Sequence, residues 1–129
     1  GLVDALQKRL DAVEKRSGME ARLILDGDIH CEDEIADQYY RIAQEALNNV
    51  LKHAQADEVT VYLRAENGIM GLEVADNGRG FDLAEARKSG GLGLKTMQER
   101  SEQINGDFEI TTAPNQGTKV MVQVNQSHE

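Results

Sequence analysis

Leu2, Leu6, Leu10 and Val13 recur at helical spacing with charged residues between them, and Ser17-Gly18 supplies a stop. From Met19 to Leu25 the pattern alternates and predicts a strand, closed by a turn at Asp26-Gly27-Asp28. Residues 28 to 34 read as a loop. From about Asp33 to Ala54 runs the longest helical pattern, in which Ile35, Tyr39, Ile42, Ala43, Ala46, Leu47 and Val50 form one broad apolar face. Val59, Val61 and Leu63 alternate, as do Met70, Leu72 and Val74, and Asn67-Gly68 between them reads as a two-residue hairpin turn. Residues 79 to 90 lose this periodicity. Phe81 and Leu83 are their only large apolar groups, so the segment reads as mobile and pinned at its root. Leu92 to Ile104 resumes helical spacing and stops at Asn105-Gly106. Phe108, Ile110 and Thr112 predict a strand, Ala113 to Gly117 a turn, and Val120, Val122 and Val124 a last strand. The tail from Asn125 to Glu129 reads as frayed.

About three helices with one apolar face each and five alternating strands predict a two-layer α/β sandwich. Short turns between neighbouring strands make its five-stranded sheet mixed and largely antiparallel. There is no regular βαβ series and no Gly-x-x-x-x-Gly-Lys-Ser/Thr loop.

Composition narrows the function classes. The 129 residues suit one domain with a single core. A net charge of −9, spread along the chain, argues against a nucleic-acid backbone as partner. It does not exclude phosphates, which local N–H groups and a few cations can hold. The single cysteine, Cys31, excludes an internal disulfide framework and fits a reducing compartment. His30 and Cys31 sit together, but two ligands without a third make a poor metal site. No apolar run is long enough to span a bilayer, and no signal peptide is visible. The first residue is Gly1 rather than Met, so neighbouring segments of a longer protein are expected.

The chemistry concentrates between Gly68 and Gly93, which hold seven of the chain's 12 glycines. Asp76 continues the inward parity of Leu72 and Val74 and so points a carboxylate toward whatever covers the sheet, which is costly unless it is hydrogen-bonded or solvated from a pocket. The alternative is an Asp-Asn-Gly turn whose carboxylate caps local N–H groups. Gly90, Gly91 and Gly93 open a helical pattern and leave N–H groups free for an anion. Together the stretch offers a carboxylate acceptor and a phosphate cradle, the two kinds of group a purine nucleotide needs. On the long helix, at about 100° per residue, Glu45, Asn49 and Lys52 cluster within roughly 60° beside the apolar face. That is where a ligand would meet the core, unless the group is a solvated face with a Glu45–Lys52 or Asn48–Lys52 interaction.

Three strings in order, Glu45-x-x-x-Asn49, Asp76-x-Gly78-x-Gly80 and Gly91-x-Gly93-Leu94, resemble the N box and the two glycine boxes of the GHKL ATP-binding superfamily, which includes gyrase B, Hsp90, MutL and histidine kinases. The run from Arg41 to Ala54, Gly91-Leu92-Gly93-Leu94 with Met97, Glu99 and Arg100, and Gly117-Thr118 look like the subfamily of the nitrate sensor and the desaturase-controlling thermosensor kinase. The resemblance covers nearly the whole chain. It implies a Bergerat-type sandwich binding Mg–ATP. Asp76 would accept from the adenine amino group, Gly78 and Gly80 would shape the turn beneath the base, and Thr118 would hold adenine through water. Asn49 would ligate Mg²⁺. Lys52 and the Gly91, Leu92, Gly93, Leu94 stretch would meet the phosphates, and residues 79 to 90 would be the ATP lid. Glu45 stands where the superfamily's ATPases activate water; in a kinase it would polarise the acceptor histidine or position water.

The same resemblance implies a protein histidine kinase whose acceptor histidine lies on a separate dimerisation domain, with a response regulator downstream. His30, His53 and His128 are not in a dimerisation helix, so the chain is expected to be the single ATP-binding catalytic domain, residues 1–129, without sensor or dimerisation domains. It would be cytoplasmic, in a full-length protein for which a membrane anchor stays open. Three other readings stay open here: a GHKL ATPase fragment, a serine kinase of the anti-sigma type, and a nucleotide-sensing module without catalysis.

Overall fold

The computed structural model describes residues 1–126. Its elements are α1 (Leu2–Ser17), β1 (Glu20–Asp26), α2 (Asp33–Asn49) continued by a π-helical turn (Val50–Ala54), β2 (Glu58–Glu66), β3 (Ile69–Asp76), α3 (Leu83–Ser89), α4 (Leu94–Gln103), β4 (Asp107–Thr112) and β5 (Thr118–Asn125). The strands form one sheet in the order β1-β2-β3-β5-β4. β1 and β2 run parallel across α2, while the pairs β2–β3, β3–β5 and β4–β5 are antiparallel. The β2–β3 turn is Asn67-Gly68 with φ of 52° and 78°, the two positive values a tight hairpin of this twist requires.

The helices cover one face. Leu6 and Leu10 of α1, Tyr39, Ile42 and Leu47 of α2 and Met97 of α4 are fully buried with Val59, Val61, Leu63, Leu72 and Val122 of the sheet. At about 25 cal/mol per Å² of apolar area, each such side chain contributes roughly 1.5–3 kcal/mol. The Tyr39 hydroxyl inside this core donates to Met70 O at 2.6 Å, and burial drives its pKa well above the ordinary phenol value.

Two expectations are corrected. There are four helices, not three, because α3 lies in the segment read as mobile. Its sequence buries little beyond Ala86, so periodicity could not reveal it. The signal was the cap: Asp82 Oδ1 accepts from Glu85 N at 3.1 Å. The tail is ordered further than expected. Asn125 ends β5, Gln126 N donates to Gly68 O at 2.7 Å, and the Gln126 side chain binds His30 O and Glu32 N. The rest of the expected fraying, and His128, lie outside the described residues. No helix among the described residues is long and apolar enough to cross a membrane.

Candidate functional site

β3 delivers Asp76 to the end of the sheet, half-buried, on the face its parity predicted. One carboxylate oxygen accepts from Gly78 N at 2.7 Å, so both sequence readings hold at once: the group caps its own turn and lines a cavity. Burial pushes its pKa up, while the N–H groups of Gly78 and Thr118 pull it back. The glycines make this geometry possible. A Cβ on Gly78 would overlap Ala54 O, and Gly80, at φ 63°, turns so close to Ala113 O that no side chain fits. Thr118 pairs with Asp76 across β3–β5, and its hydroxyl lies 2.9 Å from that of Thr112.

The helix α2 runs past the other side. Asn49 Nδ2 donates to Leu92 O at 2.6 Å. A carbonyl can only accept, so the amide is oriented with Oδ1 left as a free acceptor. Leu92 holds φ of 66°, an uncommon conformation for so bulky a residue, just before α4. Glu45, one turn earlier on α2, lies against Gly93, where any Cβ would overlap its carboxylate. The second glycine cluster is thus split: Gly90 at φ 69° ends α3, Gly93 at φ 63° opens α4, and Gly91 is exposed between them.

These elements enclose a cavity of about 420 Å³. Val50, Val74, Met97, Ile110 and Val120 give it apolar walls, with Asp76 and Asn49 as its polar groups from β3 and α2. This is the usual composition of a small-molecule site, an apolar slot with a few converging polar atoms. Of the residues predicted from sequence, Asn49, Asp76, Gly80, Leu92, Leu94 and Thr118 line it. Gly78 is buried against Ala54 O, Glu45 lies against Gly93, and Lys52 is exposed and does not line the cavity. From the π-helical turn His53 and Ala54 line the wall and Lys52 does not; His53, seven residues after Ala46 and four after Asn49, falls on the face of those two residues at ordinary helical spacing. Sequence reasoning also missed Arg79, Pro114 and Asn115, which line the cavity from loops that periodicity does not reach.

The donor set fits a nucleotide with a hard cation. Asp76 offers a half-buried acceptor in a largely apolar cavity, and Asn49 Oδ1 is one oxygen donor, which suits Mg²⁺ held mainly by phosphates and water. Among the described residues no group of three or more His, Cys, Asp or Glu could hold a metal ion, and His30 and Cys31 lie in the loop between β1 and α2. Burial lifts the Cys31 thiol to about 11, which keeps it protonated and unreactive near neutral pH.

Residues 34–128 match the profile of the family described as histidine kinase-, DNA gyrase B- and HSP90-like ATPases. The sensor histidine kinase LiaS of Bacillus subtilis is 35% identical over 124 residues, 96% of this chain and 34% of that protein. The oxygen sensor histidine kinase NreB of Staphylococcus carnosus is 43% identical over 93 residues, 72% of this chain and 27% of that protein. The chain thus spans roughly a quarter to a third of the length of these curated relatives. The histidine kinase domain of a blue-light-activated kinase from Erythrobacter litoralis superposes with a TM-score of 0.80 over 97% of this chain and 61% of that one, at 21% identity, which establishes a shared fold. On the family match over most of its length, joined to the cavity built from its boxes, the chain belongs to the histidine kinase-, DNA gyrase B- and HSP90-like ATPase family.

Proposed function

We propose that this chain is the Mg–ATP-binding catalytic domain of a sensor histidine kinase, which passes the γ-phosphoryl group to a histidine on a separate dimerisation domain. The observation that carries this reading is one cavity lined both by Asp76 from β3 and by Asn49 from α2, whose amide is bonded to Leu92 O. Asp76 accepts from the adenine amino group, and Thr118 supports the same edge. Asn49 Oδ1 holds Mg²⁺, which when bound neutralises phosphate charge. Lys52 and the Gly91–Leu94 stretch serve the phosphates, and residues 79 to 90, carrying α3, form a lid over them. Glu45, whose carboxylate lies against Gly93, would orient the acceptor or water once the lid moves.

Phosphoryl transfer needs positioning and charge neutralisation more than covalent work by the enzyme, so one domain can supply nucleotide while another supplies the nucleophile. Without that partner the domain binds ATP and turns over slowly. In this reading the sensor and dimerisation domains belong to a longer protein whose catalytic part is cytoplasmic, and the response regulator is a separate partner downstream. The test has two parts. Calorimetry is expected to give micromolar Mg–ATP binding, about −7 to −8 kcal/mol, with ADP preferred over GDP. Equal ADP and GDP affinity would sink the adenine assignment. Mixed with a separate domain carrying the acceptor histidine, the chain is expected to form an acid-labile, base-stable phosphoprotein. The opposite stability would favour a serine kinase, and phosphate release without a phosphoprotein an ATPase.

A further inference from the structure

A π-helical turn leaves carbonyl groups at its end without partners inside the helix. Here the turn ends at Ala54, and Gln55 leaves it in the left-handed region at φ 51°. Arg79 takes up both of the last two carbonyls. Its backbone N–H donates to Ala54 O at 2.7 Å, and its side-chain Nε donates to His53 O at 2.6 Å. Its own carbonyl accepts from Asn115 N in the β4–β5 turn. Two residues back, Asn77 Oδ1 accepts from Asp57 N at 2.9 Å and Glu58 N at 3.1 Å, holding the chain just after the π turn. Three walls of the cavity, carrying His53 and Ala54, Asp76 and Gly80, and Asn115, therefore meet at one residue.

We infer that Arg79 is a positioning residue for the nucleotide: its Nε–H caps the π-helical turn and so fixes the wall that the base meets. The guanidinium acts through its donor to His53 O and not through its charge. The backbone bond to Ala54 O survives any substitution except proline, so the side chain supplies only the second tie. Because that tie is exposed, its loss loosens the wall without unfolding the domain. This inference rests on the nucleotide reading above.

The informative pair is Arg79→Gln and Arg79→Met. Both are neutral and of similar length. The Gln amide nitrogen occupies the position of the Arg Nε and can donate to the same carbonyl, whereas Met has no donor. Calorimetry with Mg–ATP, ADP and adenosine is expected to show Arg79→Met weakened about three- to tenfold, by a similar factor for all three ligands, as for loss of one exposed hydrogen bond. Arg79→Gln should bind within about twofold of wild type. Amide exchange at residues 52–56 should quicken in Arg79→Met and return to the wild-type rate in Arg79→Gln. Equal losses in both variants, confined to the phosphorylated ligands, would mean a direct charge contact and overturn the inference. So would wild-type binding in Arg79→Met. If wild type bound none of the three ligands, the nucleotide reading itself would fall, which keeps the two failures distinguishable.

Discussion

Replacing Asp76 by Asn exchanges one oxygen for an amide and leaves volume and shape almost unchanged. Gly78 N–H already donates to one carboxylate oxygen at 2.7 Å, and an N–H cannot face an NH₂ group. The new amide must therefore turn its oxygen to Gly78 and its nitrogen to the cavity. There it would present a donor to the adenine amino group, also a donor. The site loses a charge-assisted hydrogen bond, worth about 1.5–3 kcal/mol. At 1.4 kcal/mol per decade this weakens Mg–ATP binding by roughly 10- to 150-fold. Stability should move the other way. Burial raises the Asp76 pKa, so the stability this group contributes is present when it is protonated and is lost as pH rises through its folded pKa. At neutral pH the ionised form carries that penalty, and the amide removes it. The thermal midpoint of Asp76→Asn without ligand should match or exceed that of wild type. The same shift makes wild-type affinity fall on acidification sooner than an exposed carboxylate would dictate, while the residual binding of Asp76→Asn stays flat in that window. Calorimetry at several pH values and thermal melts of both proteins measure all three effects. A folded Asp76→Asn protein with wild-type ATP affinity would refute the reasoning, because adenine would then sit elsewhere.

Two further perturbations separate the roles of other residues. Asn49→Ala should abolish phosphotransfer and weaken nucleotide binding mainly in its Mg²⁺-dependent part, because a lost metal ligand costs the transition state more than the ground state. Wild-type transfer rates in that variant would remove the metal from α2. Tyr39→Phe leaves Met70 O without its buried donor and should cost about 1–3 kcal/mol in urea denaturation. An unchanged midpoint would show that the carbonyl is satisfied by the sheet alone.

The secondary structure was legible in the sequence wherever one face of an element is buried. The 3.6-residue pattern of Leu6 and Leu10, or of Ile42 and Leu47, and the alternation of Val59, Val61 and Leu63 are local, and the core buries those same residues. The parity that turned Asp76 inward was equally local, since side chains in a strand alternate strictly. So was the Asn67-Gly68 turn. α3 escaped because a short helix that buries little beyond Ala86 has no periodic stripe, only its Asp82 cap. What the tertiary structure alone decided is where distant segments meet. β5 pairs between β3 and β4, which brings Thr118 opposite Asp76. His53 lines the cavity and Lys52 stays exposed, which shows only once the sheet and loops are packed against this helix. Asn49 finds Leu92 across 43 residues of chain, and Arg79 finds His53 across 26. Such contacts depend on long-range packing, and no hydropathy pattern within one segment records which other segment will supply the missing donor or acceptor.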